Sequence, residues 1–380
     1  PLLRYRPVAI VNRRTKHTAV VTASYEAKAR GVKVGMRLRD ATILCPDIIA
    51  LESDPPKYRY VYHKLMDIMR EYSPQFQMKS IDEGVIDFSA TSQAIQHRGI
   101  DTIGYEIKQR LKEEIGNYMR CNIGIGPNRF LAKTAAGMNK PDGFTVIDST
   151  NLRKQLSRLE LEDLTGIAHR LAKRLRRVGI TTPIEFLDAD IATLESMVFH
   201  SICGKQWHQR LRGWEVDDTA SELQNVGRQY VLDTQNLPYD DVLRRLHGLS
   251  EDVAAKLRSQ HVWARGVRIH ARGNKETWKT HHLARQSFND ASTLFAIVKQ
   301  LAQTMPLPTI EIGVTCYHLS TQPAEQATLF YDQDIKREAL TASIDDINTF
   351  FGAHTVHSAD TLEINRLMKR KVPFGSTRYL

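Results

Sequence analysis

The sequence lacks any long hydrophobic run, and this excludes proteins that cross a membrane through apolar helices. No apolar segment of the 380-residue chain approaches the length of a membrane span. Cysteine is also scarce: Cys45, Cys121, Cys203 and Cys316 lie far apart, so no pair has the spacing of a metal or redox motif. We therefore expect reduced, mostly buried thiols in a cytoplasmic protein.

Signals for secretion and two common nucleotide-binding motifs are also missing. The front of the chain has no secretory signal. Pro1 is not an initiator, and residues 7–11 already have the composition of a β-strand, so the chain is expected to begin inside a domain. Neither the Walker phosphate loop nor the dinucleotide fingerprint occurs.

Basic side chains, by contrast, are in excess. Fifty-three lysines and arginines against 43 aspartates and glutamates leave a net charge of +10. Such a surplus favours a polyanionic partner, either nucleic acid or an anionic membrane, and the lack of apolar runs disfavours the membrane. The length and the 42% hydrophobic content predict a globular chain of two to four domains.

The most informative stretch is Ser-Ile-Asp-Glu at residues 80–83, which places Asp82 and Glu83 side by side at the end of a strand-like segment. Neighbouring side chains of a strand point to opposite faces, so the two carboxylates can share a metal ion only where the chain bends. Gly84 permits a bend. Residues 85–88 are again strand formers, which predicts a β-hairpin with acids near its tip. A solvent-exposed acidic turn is the alternative.

The apolar periodicity predicts mixed α and β structure throughout. Around the acidic hairpin it predicts strands at 8–11, 18–23 and 122–125 and helices at 25–30, 57–72 and 103–115. This order suggests a sheet backed by helices on one side, with the acids on its open face or rim. The last 150 residues are expected to form an independent α/β domain with helices near 242–257, 291–305 and 344–351 and strands near 267–272, 278–288 and 310–319.

Two turns suit a phosphorylated ligand. Residues 124–128 lead from a strand into a helix, whose free amide groups favour anions, although a tight strand-to-helix turn explains the same glycines. Residues 140–143, Lys-Pro-Asp-Gly, form a turn that fixes Lys140 before the next strand.

Two basic features suit a DNA backbone. Residues 164–180 predict two short helices joined through glycine turns, close to a helix-hairpin-helix, with Gly166 in the hairpin and Ala168 at the usual place of a second glycine. Arg268, His270 and Arg272 alternate with apolar residues and so form a basic stripe on one face of a strand. A solvated helix face and a solvated sheet face are the respective alternatives.

Together, four motifs in this order and spacing resemble those of the Y-family DNA polymerases, of the bacterial polymerase IV and V type. They are residues 24–28 (Ser-Tyr-Glu-Ala-Lys) followed by Gly31 and Val32, Cys45-Pro46, residues 80–83, and residues 140–143. The resemblance covers nearly the whole chain. It implies an α+β multidomain, right-hand polymerase with a ferredoxin-like palm, small fingers, a helical thumb with a helix-hairpin-helix, and an α/β little finger.

The resemblance implies fingers over 1–54, a palm over 55–150 without its N-terminal strand, a thumb over 151–223, a linker over 224–228 and a little finger over 229–380. The implied activity is template-directed DNA synthesis past damaged bases, in DNA repair and the mutagenic SOS response. The partners are primed template DNA and deoxynucleoside triphosphates, and the protein is expected to be a monomer.

Site residues follow from the same resemblance. Asp82 and Glu83 would be the catalytic ligands of two Mg²⁺ ions. The incoming triphosphate would contact four residues, namely Thr22, Tyr25, Lys28 and Lys140. DNA would contact Gly166 and Ala168 in the thumb and Arg268, His270 and Arg272 in the little finger. Residues 326–330 resemble a sliding-clamp peptide with anchors Gln326, Leu329 and Phe330; packing beneath the last helix is the alternative for the two apolar anchors.

The chain departs from the family pattern in three places. The first motif, with a third metal-binding aspartate and the aromatic residue that excludes ribonucleotides, would lie upstream of Pro1. Lys28 stands where arginine is usual, which replaces a forked phosphate contact with a point charge. Gly84 replaces a small alanine and is expected to loosen the acidic turn.

Two other functions stay open. A DNA-binding adaptor that kept the polymerase fold and lost its chemistry would recruit a clamp or another polymerase. Retention of Asp82, Glu83 and Lys140 argues against it, because adjacent carboxylates repel each other unless a cation neutralises them. A nucleotide cyclase explains the acids and the lysine but leaves the basic thumb and terminal domain unexplained.

Overall fold

A computed structural model describes residues 3–15, 18–89, 91–217, 223–232, 234, 236–273, 276–322, 331–364 and 368. The chain divides into two compact units, one within residues 1–220 and the other within residues 221–370. Across the described ranges, no helix combines the length and apolarity needed to span a bilayer.

The described residues of the first unit form seven short strands, which include every strand predicted there. They are β1 (Val8–Val11), β2 (Val20–Ala23), β3 (Ile49–Glu52), β4 (Phe76–Ser80), β5 (Glu83–Ile86), β6 (Ile123–Ile125) and β7 (Phe144–Val146). Strand β1 lies between β2, to which it is antiparallel, and β3, to which it is parallel. Strands β4 and β5 form the predicted hairpin, and β6 and β7 form a parallel pair.

The helices of the first unit are α1 (Tyr25–Ala29), α2 (Leu38–Leu44), α3 (Pro55–Arg70), α4 (Gln93–His97), α5 (Ile100–Arg110), α6 (Arg129–Met138), α7 (Leu152–Leu156), α8 (His169–Arg177), α9 (Pro183–Asp188), α10 (Ile191–Thr193) and α11 (Cys203–Leu211). Helices α5 and α10 continue as π-helical turns over Leu111–Ile115 and Leu194–Phe199, and Leu161–Asp163 is a 3₁₀ turn. The predicted helices at 25–30, 57–72 and 103–115 are confirmed, the last with a π-helical end.

The single predicted sheet around the acids is instead two separate strand pairs. Within the described residues, β4–β5 and β6–β7 share no hydrogen-bonded edge. Ile86 of β5 and Ile123 of β6 both pack against one apolar cluster from α3, α5 and its extension, whose buried members are Ile68, Tyr72, Ile103, Ile107 and Leu111. Helices α3 and α5 therefore pack against both strand pairs, as predicted for the helices that back the sheet.

Strand β6 and helix α6 approach each other very closely. A Cβ atom on Gly124 would lie 2.0 Å from the carbonyl oxygen of Ala132, and one on Gly126 would lie 2.6 Å from the Ala132 nitrogen. Real Cβ contacts at such distances do not occur, so both positions require glycine. The two glycines thus set the distance between this strand and this helix.

The second unit contains an antiparallel four-stranded sheet with the strand order β10-β9-β11-β8. Its elements are β8 (Asn225–Val231), α12 (Tyr239–Ser259), β9 (Trp263–Arg272), β10 (Thr277–Phe288), α13 (Ala291–Ala302), β11 (Glu311–Ser320), α14 (Tyr331–Phe351) and a 3₁₀ turn, Ala359–Thr361. Helices α12 and α13 supply buried residues to the same core as the strands. The structure differs from the predicted linker over 224–228, because residues 225–228 pair with β11 as the first half of β8.

The thiols are free, as expected, but they differ in burial. Cys45 and Cys316 are buried, Cys121 is half-buried and Cys203 is exposed at the start of α11. Burial raises the pKa of the Cys316 thiol to about 12, so this cysteine is a core residue without nucleophilic character.

A buried histidine makes the stability of the second unit depend on pH. His247 of α12 stacks on Phe295 of α13 with ring centroids 3.7 Å apart, and its Nδ1 atom has no hydrogen bond among the described residues. Burial lowers the pKa of His247 below 6.5, while Glu251 and Asp360 act in the opposite direction. Below pH 6.5 the unfolded chain therefore binds a proton that the folded chain resists, so stability falls as the pH falls.

We expect the free energy of unfolding to decrease between pH 7 and pH 5, and to decrease less in a His247→Phe variant, which keeps the ring stack and cannot titrate. Urea unfolding at both pH values measures the difference. His281→Phe, the same substitution at an exposed residue of β10, is the control for the change of side chain. Equal pH dependence in wild type and His247→Phe would contradict the prediction.

Candidate active site

The acidic pair lies at the tip of the β4–β5 hairpin. The Cα atoms of Ser80 and Glu83 are paired across the hairpin, so Ile81 and Asp82 form its turn. Ile81 is buried and anchors the turn, whereas Asp82 is exposed. The Ser80 hydroxyl donates a hydrogen bond of 2.6 Å to Oδ1 of Asp82. The predicted hairpin with acids at its tip is confirmed, and one carboxylate is fixed by a neighbouring hydroxyl.

Gly84 has a different role from the one predicted. It lies inside β5 opposite Met78, beyond the bend, so the bend does not depend on it. A Cβ at this position would lie 2.5 Å from both Cε and Sδ of Met69, a buried residue of α3. Glycine therefore provides space for the methionine side chain, and the loosening of the turn stays a prediction.

Glu83 is held by a residue that the sequence analysis missed. Nζ of Lys133, on α6, donates to both carboxylate oxygens of Glu83 at 2.6 Å. The two residues are 50 positions apart, and no local pattern connects a hairpin to a later helix over such a separation. The site thus contains two carboxylates and one ammonium group.

The donor chemistry of Asp82 and Glu83 fits a hard divalent cation, because carboxylate oxygens are the ligands that Mg²⁺ prefers. Asp82 is exposed and the Glu83 side chain retains 36% of its accessible surface, so both can be reached. In the part of the chain that the structure describes, no three histidine, cysteine, aspartate or glutamate residues are grouped to hold a metal ion. The described chain therefore offers two carboxylates to such an ion.

Tyr25 and Lys28, two of the predicted triphosphate residues, lie together on α1. Ser24 caps α1 by accepting a hydrogen bond from the Ala27 amide at 3.3 Å. This places Tyr25 and Lys28 one turn apart, with Nζ of Lys28 5.0 Å from the centroid of the tyrosine ring. Thr22 precedes them on β2, and all three side chains are exposed. Short helix α1 therefore presents a positive charge over an aromatic ring.

Lys140 lies in a turn that a partly buried lysine stabilises. Lys108 of α5 donates to the carbonyl oxygens of Cys121 (3.1 Å), Gly143 (3.3 Å) and Asp142, and its Nζ lies 3.0 Å from Oδ1 of Asp142. Partial burial acts to raise the pKa of Asp142, but the hydrogen bonds from Lys108 and the Cys121 amide outweigh it, so this pKa is lowered. Lys140 itself is exposed. Lys108 is thus a second lysine that sequence reasoning missed.

The glycine-containing turn before α6 is not an anion site. Asn128 caps the helix with its side-chain oxygen, and the Arg129 amide donates to a carboxylate oxygen of Glu215 at 2.9 Å. The Asn128 amide group also donates to the carbonyl oxygens of Arg210 and Trp214, both at 2.8 Å. A carboxylate of the chain already occupies the helix end, so the tight-turn alternative is the correct interpretation.

The predicted helix-hairpin-helix residues are exposed ahead of α8. Gly166 has φ +95°, which favours glycine, and lies against the Trp207 ring. Ala168 is the N-cap residue of α8 with φ −90°, an ordinary conformation in which its Cβ causes no strain. Arg176, part of the predicted basic face, is paired with Glu162 through two hydrogen bonds of 2.7 Å.

Comparison with known proteins agrees with these features. The impB/mucB/samB family matches residues 1–137, and the C-terminal domain of that family matches residues 226–329. DNA polymerase IV of Pelotomaculum thermopropionicum is 30% identical over 95% of this chain and 90% of its own length. DNA polymerase IV 1 of Bacillus subtilis is 29% identical over 96% of this chain and 89% of its own.

The chain belongs to the Y family of DNA polymerases. Among solved structures, a chimeric Y-family polymerase of Dbh and Dpo4 matches with a TM-score of 0.67 at 22% identity, covering 83% of this chain and 92% of its own. An insertion ternary complex of Dbh DNA polymerase matches with a TM-score of 0.55 at 22% identity, covering 83% and 93%. The predicted multidomain polymerase fold and the predicted enzyme class, a DNA-directed DNA polymerase of the lesion-bypass type, are confirmed.

In this polymerase the basic stripe of β9 is partly neutralised. Arg268 and Arg272 are exposed and His270 is half-buried, so the predicted alternation is confirmed. Nη2 of Arg272 lies 2.6 Å from Glu311 of β11, and Nε2 of His270 lies 3.6 Å from the same carboxylate. Arg268 instead stacks on Tyr317, with its Cζ atom 5.1 Å from the ring centroid. Arg268 is therefore the stripe residue that Glu311 does not contact.

Strand β10 adds residues to this face that the sequence analysis overlooked. The register pairs His281 with Arg268 and Lys279 with His270, and both added side chains are exposed. Their alternation along the strand was visible in the sequence. The proposed clamp anchors Gln326, Leu329 and Phe330 lie outside the described residues.

Proposed function

We propose that this polymerase extends primers at the tip of the β4–β5 hairpin, where Asp82 and Glu83 hold two Mg²⁺ ions. Y-family DNA polymerases use divalent metal ions, and primed DNA and deoxynucleotides are their substrates. The observation that carries the proposal is the pair of adjacent, accessible carboxylates on a turn anchored by Ile81. No observation favours the adaptor, since the acids and both phosphate-binding lysines are accessible.

Each side chain has a separate task in this proposal. The ions that Asp82 and Glu83 would hold would supply a lowered pKa of the primer 3′-hydroxyl and neutralisation of the triphosphate charge. Asp82 and Glu83 orient the ions from the hairpin. Lys28 and Lys140 bind phosphate oxygens as point charges. Tyr25 restricts the position of the Lys28 ammonium, and Thr22 donates its hydroxyl hydrogen to the same phosphates.

The remaining assignments are also proposals. Residues 1–54 act as fingers, 55–150 as palm and 151–223 as thumb, while the little finger begins at β8. Gly166 and Ala168 present backbone amides to a DNA phosphate. Clamp binding through Gln326, Leu329 and Phe330, a monomeric state, a cytoplasmic location and a part in the mutagenic SOS response belong to the same proposal.

The stripe on β9 is proposed to lie along the DNA backbone, and Arg268 provides its test. Arg268→Ala is expected to weaken DNA binding for all sequences alike and to reduce the slope of log affinity against log salt by about one. Fluorescence anisotropy with a primed duplex at several salt concentrations measures both. Arg153→Ala makes the same change in charge at a residue paired with Asp188 at 2.6 Å and is the control. An unchanged slope for Arg268→Ala would remove this face from the DNA interface.

Primer extension tests the proposed function. The natural full-length protein is incubated with a primed template, undamaged or carrying a lesion, and the four deoxynucleotides. Template-directed extension that stops when a chelator removes the metal, and resumes when Mg²⁺ is restored, supports the proposal. DNA binding without extension under every metal condition would support the adaptor instead.

A further inference from the structure

Lys133 contacts one of the two carboxylates at the hairpin tip. Its Nζ atom is 2.6 Å from each oxygen of Glu83, and the two side chains are 42% and 36% exposed. Asp82 has a different partner, the Ser80 hydroxyl. The positive charge of Lys133 therefore neutralises the carboxylate of Glu83, whereas the partner of Asp82 is an uncharged hydroxyl.

The Lys133 ammonium group lies at the carboxylate oxygens of Glu83 to which a metal ion would bind. Two adjacent carboxylates repel each other, and a nearby cation offsets the repulsion. A divalent cation at Glu83 would require the same oxygens, and an ammonium group held a few ångströms from a dication would be repelled by it. Lys133 and a metal ion at Glu83 are thus alternatives.

The backbone of Lys133 is fixed, but its ammonium group is not. Helix α6 is held by the Asn128 cap and by its buried residues Phe130, Leu131, Thr134 and Ala135. The flexible four-carbon stem of a lysine lets the charge move several ångströms while the helix stays in place. The charge can therefore leave Glu83 without any rearrangement of the fold.

We propose that Lys133 is a positioning residue that takes the place of the metal at Glu83 in the ion-free polymerase and is displaced when a divalent cation binds. The proposal rests on the proposed function, in which Glu83 is a metal ligand. Lys133 keeps the carboxylate oriented before the ion arrives, and it also lowers the affinity of the site for free metal.

The test is a titration of the full-length protein with Mn²⁺, without DNA or nucleotide, in which electron paramagnetic resonance measures the free ion. Lys133→Met keeps the apolar stem and removes the charge, and it should bind Mn²⁺ about three- to fivefold more tightly, a change of about 0.7 to 1 kcal/mol, which is the upper range for a partly exposed ion pair. Lys133→Arg keeps the charge and should bind as wild type does or more weakly. Lys57→Met removes a lysine paired with Asp54 at 2.9 Å and should change nothing.

The Glu83→Gln variant distinguishes failure of the proposed metal site from failure of the inference about Lys133. If this variant binds Mn²⁺ as well as wild type, Glu83 is not a ligand and the proposed metal site fails. If it binds more weakly while Lys133→Met equals wild type, the inference about Lys133 alone is overturned. Lys133→Gln provides a second neutral variant should Lys133→Met fold poorly, and circular dichroism verifies the fold of each.

Discussion

Replacing both hairpin carboxylates with alanine is expected to slow primer extension by at least about a thousandfold, because metal ions supply several kcal/mol of transition-state stabilisation. Both side chains are accessible at a turn held by the burial of Ile81, so the Asp82→Ala, Glu83→Ala variant should keep its fold. Single-turnover incorporation of one deoxynucleotide measures the rate. The effects of the two single variants should not add, because both carboxylates serve the same ions.

Asp87 provides a matched control on the same hairpin. Its carboxylate accepts a hydrogen bond from the Ser89 amide at 2.8 Å and lies beyond the end of β5. Asp87→Ala should therefore extend primers at nearly the wild-type rate, and affinity for primed DNA should be retained by both variants. Wild-type extension by the double variant would move the metal site away from the hairpin.

The second large effect concerns stability. Gly124→Ala is expected to lower the free energy of unfolding of the first unit by about 3 kcal/mol or more, a value at the upper end for overpacking. The added Cβ would lie 2.0 Å from the Ala132 carbonyl oxygen and 2.2 Å from the Ala136 nitrogen, and backbone atoms of a packed helix cannot move aside as a side chain can. Thermal unfolding followed by circular dichroism measures the loss.

Gly137, on the helix that Gly124 contacts, is the control. Among the described residues, no heavy atom other than those of the adjacent residues and the backbone of the same helix lies within 4 Å of a Cβ built at Gly137. Gly137→Ala should stabilise the protein by about 0.5 to 1 kcal/mol, because alanine loses less conformational freedom in a helix. Similar melting temperatures for the two variants would show that the strand and helix can separate at little cost.

Local sequence patterns predicted those parts of the site whose conformation depends on residues close together in the sequence. The acidic hairpin, the placement of Tyr25 and Lys28 on α1, and the alternation along β9 depend on periods of two or about four residues. These periods are visible in any window of the sequence. Their predicted positions agree with the structure to within a few residues.

Contacts between distant residues could not be predicted in this way. Lys133 meets Glu83 across 50 positions, Lys108 meets Asp142 across 34, and Arg129 meets Glu215 across 86. Such pairs depend on how packed helices are arranged in space. The misinterpretation of Gly84 has the same origin, because the Met69 side chain that requires the space belongs to helix α3 and not to the hairpin.

Helix α6 connects two remote parts of the first unit mechanically. Its N-terminal end is tied by Asn128 to the carbonyl groups of Arg210 and Trp214, and Lys133 farther along holds Glu83. A helix of this length, about 15 Å, is stiff. Asn128 and Lys133 therefore belong to one rigid element, and this element positions the Glu83 carboxylate relative to the carbonyl groups of Arg210 and Trp214. The side-chain stem of Lys133 is the flexible part of that connection.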